Sequence, residues 1–335
     1  MTALRITRVD EIGTVTGESS ANRTGHRFGV YGTDLGIPWD NGQGEVLVAF
    51  GDSYGARWAG HGTPKDGADW RCNVLTVSTT TDLAGGLALD PLVTRPDGTA
   101  DQFLPRDPAA RKENTVIPTT GINAGGVDYV HYMSVRDWGR PGQWRTNYAG
   151  IAVSDDHGRS WRKPDAARWP NRRRRDHPFQ MGAFVPDGDH VCLVGTPNGR
   201  FGSASLARVD PARVSDVDAY EYWTGRRWVA GDPYAATPVF AGPVGELSVR
   251  HNKFSDSWLA LYLDEGRAAI VLRQAAALTG PWSEPVTVVS GADHPGLYGG
   301  YLHPWACDGR ELYFTMSLWG PYHVTLMRAI LDTEG

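Results

Sequence analysis

The chain has 335 residues and a formal net charge of −5, a balance that argues against a nucleic-acid binder. No stretch approaches the roughly 18 apolar residues that a membrane-spanning helix needs, and the start MTALRITRVDEIG lacks the apolar core of a secretory signal. Its 3 cysteines, Cys72, Cys192 and Cys307, fit neither a zinc spacing nor a disulfide framework and read as buried small hydrophobes.

In chain order, RITRVDEIGTVTG is a strand candidate without a neighbour to pair with. GTDLGIPWDNGQGEVLVAFGDSYG follows, and reads as strand, tight turn, strand. It carries Asp34 near its start and Asp52 just past its end, so a hairpin folds both acids to one edge. The same signature recurs: the turns DNGQG, GINAGG, PDGD, HNKFSDS and CDGR lead into EVLVAF, VDYVHYMSV, HVCLVG, SWLALYL and ELYFTMSL. Counting back from each turn places the starts of the first strands at Asp34, Asn114, Gln180, Glu246 and Tyr301. Third strands follow in CNVLTVST, YAGIAVS, SASLARV, AAIVLRQ and HVTLMRAI. After the last there is no room for a fourth strand, and the N-terminal strand is the candidate to complete that unit. No long helical pattern occurs. These features predict an all-β five-bladed β-propeller, a single domain over residues 1–335, with its ring closed by the N-terminal strand. A sandwich or barrel is the runner-up.

SDDHGRSW, Ser154 to Trp161, matches the Asp-box pattern Ser-x-Asp-x-Gly-x-Ser/Thr-Trp of propeller turns. Its expected role is structural and away from the working face, with Asp156 accepting turn amides and Gly158 taking positive φ. The basic run Arg172 to Arg175 is expected to be a solvated loop.

In a propeller the starts of the first strands and the loops after the second strands share one face. That face gathers Asp34, Asp52 and Glu246, with Asn114, Gln180 and Tyr301 completing a polar ring. Trp39, Arg57, Trp58, His251, His303 and Trp305 are the further binding candidates, alongside Trp138 and Trp319. Carboxylates and amides bordered by indoles suit sugars, whose apolar faces stack while their hydroxyls hydrogen-bond. Part of the tryptophans is expected to serve instead as wedges between blades. No GxSxG elbow, CxxC, HExxH or phosphate loop is present. No cofactor is expected, although a structural calcium could sit on the axis among Asp and Asn side chains.

At FGDSYG, GTDLGIPW, SDDHGRSW and LTGPWSEPV the chain resembles a family long filed as a domain of unknown function. That family is linked to endo-D-arabinanases of glycoside hydrolase family 183, and the resemblance runs from about Phe28 to Leu331. It implies a five-bladed propeller that cuts internal α-D-arabinofuranosyl linkages of mycobacterial arabinogalactan and lipoarabinomannan. It also implies a catalytic carboxylate pair, carried over to Asp34 and Asp52, with Glu246 as a third candidate. Such an enzyme would act outside the cell or at the envelope, as a monomer, on a polysaccharide and without membrane insertion. The lack of a visible export signal departs from that expectation. Two rivals stand beside it. A sialidase-like enzyme would need arginines such as Arg57, Arg136, Arg200 and Arg250 to converge, with Tyr301 paired to Glu246. A non-catalytic carbohydrate-binding propeller would tolerate loss of every carboxylate.

Overall fold

The computed structural model describes residues 4–63, 68–109, 112–172 and 176–333; Arg173 to Arg175 of the basic run lie outside them. Five antiparallel sheets form the ring. The first blade is Leu35–Asp40, Val46–Phe50, Val74–Ser78 and Asp90–Pro91. The second is Thr115–Ala124, Val127–Trp138, Trp144–Ser154 and Arg168–Pro170. The third starts with Met181–Asp187, His190–Thr196 and Ala204–Val209, and widens at its outer edge with three short strands. The fourth is Leu247–Asn252, Ser257–Asp264, Ala269–Ala275 and Val286–Ser290. The fifth is Leu297–Leu302, Glu311–Leu318 and His323–Thr333, completed by the N-terminal strand Leu4–Thr14.

Closure is antiparallel. Leu4 pairs with Thr333 and Thr14 with Thr325, and Arg328 reaches Asp10 at 2.8 Å across the seam. The strand protects what would otherwise be an unpaired outer edge of the last blade. Both faces of the inner strands are buried between neighbouring blades: the successive residues Val46, Leu47, Val48 and Ala49, for example, are fully buried, Val46 and Val48 packing on one side and Leu47 and Ala49 on the other. Trp39 fills the joint between the first and second blades. It is 1 % exposed, donates from Nε1 to Asp128 at 3.1 Å and meets Trp161 edge-on.

Four of the five inner strands begin one residue after the position expected for them, at Leu35, Thr115, Met181 and Leu247. The fifth is a correction. It begins at Leu297, and Tyr301 lies near its end. The segment LYGGYL contains a bulge between Tyr298 and Tyr301, with Gly299 at φ 65°, and this hides its alternation. His303 and Trp305 therefore fall in the turn after the strand, on the face opposite to that of Asp34.

The Ser154–Trp161 turn joins the third and fourth strands of the second blade, also on that opposite face. Asp156 accepts from Ser154 Oγ at 2.8 Å and from the Ser160 amide at 2.9 Å; Gly158 has φ 85°. Trp161 Nε1 donates to the Gly158 carbonyl at 2.9 Å. The axis narrows to a void of about 10 Å³, lined by Ile37, Thr120, Phe184, Arg250 and Tyr301 from the five inner strands in turn. A guanidinium and apolar groups do not suit a calcium ion, which takes six or more oxygen ligands. Among the described residues no group of three or more His, Cys, Asp or Glu could hold a metal. All three cysteines are free and buried, which pushes the thiols up to about 12 for Cys72 and Cys192 and about 11 for Cys307.

Candidate active site

The hairpin of the first blade brings its two acids together. Leu35 pairs with Phe50, and the Gly51 amide donates to the Asp34 carbonyl at 3.2 Å. Entry into the strand is irregular. Leu35 and Gly36 have φ of 70° and 75°, and the register slips between Leu35 and Ile37. A positive φ at leucine is strained, and such bulges re-aim neighbouring side chains. The fifth blade holds the bulge in place: Ser317 Oγ accepts from the Leu35 amide at 2.8 Å, and Thr315 Oγ1 donates to the Gly36 carbonyl at 2.6 Å. Gly36 is required here, because a Cβ would come within 2.8 Å of Val324.

Asp34 accepts from Tyr298 Oη at Oδ2, 2.9 Å away, while its Oδ1 is buried with no partner. Gly51 lies so close that a Cβ there would meet Oδ1 at 2.3 Å. Burial, and then the charge of Asp52, push the Asp34 carboxyl up to about 7; Tyr298 and Tyr322 only partly oppose this. Asp52 is reached from the other side. Thr115 Oγ1 and Trp70 Nε1 both donate to its Oδ1, at 2.6 and 3.1 Å. Burial pushes Asp52 up to about 6 against those hydrogen bonds. Two neighbouring carboxyls thus titrate near neutrality, one with an unpartnered oxygen and one with a doubly hydrogen-bonded oxygen.

Glu246 enters from the fourth blade. Arg200 grips its Oε1 with Nε at 3.0 Å and Nη2 at 2.8 Å, and reaches Glu265 with Nη1 at 2.9 Å. The same guanidinium lies 5.0 Å from the Tyr298 ring. A continuous path therefore runs Glu246–Arg200–Tyr298–Asp34 across four blades. Glu246 Oε2 is buried without a partner, and its charge adds to the upward push on Asp34.

The remaining sequence candidates divide. Asn114 is exposed at the mouth, with its amide on the Val135 carbonyl. Arg57 is exposed on the loop after the second strand. Trp58 is half-buried there, packed on Gly32 and tied from Nε1 to the Gly62 carbonyl at 3.1 Å. Gln180 is fully buried and bonded to Thr146 and the Trp169 carbonyl, so its amide serves the joint between blades. Tyr301 is 2 % exposed in the axial wall. Trp39, His251, His303 and Trp305 do not join the acids. Trp39 is the wedge described above. His251 ends its strand on the far side, beside Asp256 at 3.5 Å and edge-on to Trp258. His303 is fully buried, and Trp305 Nε1 donates to Asp40 at 2.6 Å. Each lies at the far end of its inner strand, where the first hairpin of the blade turns. Sequence reasoning missed Tyr298, Trp70 and Thr115; only the polar character of Thr115, next to a predicted strand start, was a usable signal.

This ring of five sheets is the propeller architecture also seen in glycoside hydrolases. An α-L-arabinofuranosidase of family GH62 from Coprinopsis cinerea superposes with a TM-score of 0.52 at 11% identity, over 96% of this chain and 95% of that one. A family 117 glycoside hydrolase from Zobellia galactanivorans gives a TM-score of 0.55 at 11% identity, over 98% and 90%. At such identities the likeness is one of fold. The chain belongs to the family described as domain of unknown function DUF4185, whose model matches residues 19–328. Notoamide biosynthesis cluster protein J of Aspergillus sp. (strain MF297-2) is 32% identical over 314 residues, 88% of this chain and 82% of the relative.

Proposed function

We propose that the protein is a glycoside hydrolase that cleaves internal α-D-arabinofuranosyl linkages of mycobacterial arabinogalactan and lipoarabinomannan. The observation that carries the hydrolase reading is the pair Asp34 and Asp52, brought together by the hairpin of the first blade with carboxyls raised to about 7 and about 6. The arabinan substrate rests on the sequence resemblance stated above, and so does action outside the cell or at the envelope.

Glycosidic cleavage needs one protonated and one ionised carboxyl. Asp34, whose carboxyl is pushed up to about 7, is suited to hold the proton and to pass it to the leaving glycosidic oxygen as the C–O bond breaks. Asp52, whose Oδ1 accepts two hydrogen bonds, is suited to the ionised role. It either takes a proton from the attacking water or forms a bond to the anomeric carbon itself. Glu246, ion-paired with Arg200, adds a smaller push of its own charge toward the protonated form of Asp34. Tyr298 fixes the Asp34 rotamer.

The sialidase-like alternative loses its main requirement. Arg57 is exposed at the rim, Arg136 lies against Asp137, Arg200 is committed to Glu246 and Glu265, and Arg250 lines the axis. These arginines do not converge on one anionic group. The fungal relative is named for a notoamide biosynthesis cluster, and that name supports a second reading, in which the same acids act on a small molecule rather than on a polymer. Incubation with purified mycobacterial arabinogalactan, beside plant L-arabinan, xylan and small aryl glycosides, tests both. Oligosaccharides released from arabinogalactan alone support the first reading. Turnover of small glycosides alone supports the second, and no release from any substrate counts against hydrolysis.

A further inference from the structure

Large apolar side chains are rarely left in the open without a use when they gather on one face. Trp138, Phe201 and Trp319 are 52%, 54% and 49% exposed. They come from the second, third and fifth blades, and each stands at the end of a second strand or in the loop that follows it. All three therefore stand on the face that carries Asp34, Asp52 and Glu246.

They are also firmly mounted. Trp138 rests edge-on against the buried Trp144, with ring centres 5.9 Å apart. Its loop interlocks with that of Phe201: the Arg200 amide donates to the Gly142 carbonyl at 2.9 Å, and a Cβ on Gly142 would meet the Phe201 ring at 3.1 Å. Trp319 stands edge-on to His61 at 5.4 Å, and its loop is clamped where the Gly62 amide donates to the Gly320 carbonyl at 2.9 Å. In ring order, Trp319 with His61 marks the border of the fifth and first blades, while Trp138 and Phe201 mark that of the second and third. Asp34 and Asp52, in the first blade, lie between the two borders.

We infer that Trp319 on one side and Trp138 with Phe201 on the other are stacking platforms that hold an extended carbohydrate chain across the acids. This rests on the hydrolase reading above. Rigid aromatic faces give contact area with little loss of side-chain freedom, and pyranose or furanose rings present apolar faces to them. The two borders lie on either side of the acids, so a short ligand covers only one of them. Affinity should therefore rise with chain length until both platforms are covered.

The test uses the full chain carrying Asp52→Asn, so that ligands persist, and arabinofuranosyl oligosaccharides of graded length cut from arabinogalactan. Calorimetry should show affinity climbing with length in this parent. Adding Trp319→Ala or Trp138→Ala should weaken the longest ligand by about tenfold each, the scale of one lost stacking contact, and leave the shortest ligand bound as before. Trp138→Phe should restore most of the loss. Melting temperatures within a degree or two of the parent, expected for exposed positions, verify that the variants are folded. Length-independent binding, or alanine variants that bind the longest ligand as tightly as the parent, would overturn the platforms while leaving the hydrolase reading standing. A parent that binds no glycan of any length sinks both. Self-association of the parent that the alanine changes abolish would assign the rings to a protein interface and also overturn the inference.

Discussion

Tyr298 donates its hydroxyl to Asp34 Oδ2 across the border of the fifth and first blades, while Asp34 Oδ1 is buried with no hydrogen-bond partner among the described residues. One oxygen of this carboxyl is held and the other is starved. That asymmetry favours a neutral Asp34, and the chain of contacts through Arg200 ties it to Glu246.

Changes at Glu246 and Arg200, the two members of this chain beyond Tyr298, should move the activity profile in opposite directions. Removing the Glu246 charge with Glu246→Gln takes away one upward push on Asp34, so the alkaline limb of the pH–rate profile should shift to lower pH. Arg200→Met leaves Glu246 uncompensated, so the limb should shift higher, with a loss of stability of roughly 3–5 kcal/mol from the unpaired buried charge. Parallel shifts in the two variants, or none, would show that Glu246 does not act on Asp34.

Stability should carry the same signature. Asp34 binds its proton more tightly in the folded chain, at about 7, than an unfolded aspartate does at about 3.9. The folded state therefore holds the extra proton between these values, and stability falls as pH rises from about 4 through about 7. Asp34→Asn removes that penalty. Its melting temperature should match the parent below about pH 4 and exceed it above pH 7. A variant less stable than the parent at pH 8 would contradict the raised pKa of Asp34.

Ring closure can be tested by deletion. A chain lacking residues 1–14 loses the strand that pairs from Leu4 to Thr14 and the Asp10–Arg328 contact. It should melt about 10 °C or more below the parent, as expected for several kcal/mol in a domain of this size. An unchanged melting temperature would show that the closing strand contributes little.

Trp39 separates packing from binding. Trp39→Ala should cost about 3–5 kcal/mol of stability, the scale for emptying a buried aromatic site, while KM measured well below the melting temperature stays near that of the parent. A large rise in KM without destabilisation would return this residue to the substrate site.

That example also marks how far the sequence could be read. Hairpins, turn glycines and the unpaired first strand carry local signals, so five blades and their closure were legible. Asp34 and Asp52 were legible because a hairpin has only two ends, and both acids flank the open one. Which end of a strand a side chain occupies was harder. Trp39, His251, His303 and Trp305 all sit at the closed hairpin end or beyond it, and a shift of four residues in the fifth blade carried His303 and Trp305 to the wrong face. That shift came from the bulge at Gly299 and Gly300, where two glycines interrupt the alternation that locates a strand. Gln180 stands at the predicted strand start, yet its burial depends on Thr146 from the neighbouring blade. Tyr298 escaped notice because its function depends on reaching a residue 264 positions away.

If Asp34 holds the proton and Asp52 the charge, activity requires both at once, and the profile should be a narrow bell with apparent limbs near 6 and 7. The two limbs belong to the pair rather than to either residue. A broad plateau reaching pH 9 would exclude Asp34 as the acid.

The most direct test is the rate of reducing-end release from mycobacterial arabinogalactan by the parent, Asp34→Asn and Asp52→Asn, each verified as folded and able to bind the polymer. The side-chain shape is kept while proton transfer is lost, so each variant should fall by roughly 10²–10⁴-fold or more in kcat. Either variant cleaving at the parental rate would make that aspartate a structural residue and remove the carboxylate pair from the mechanism.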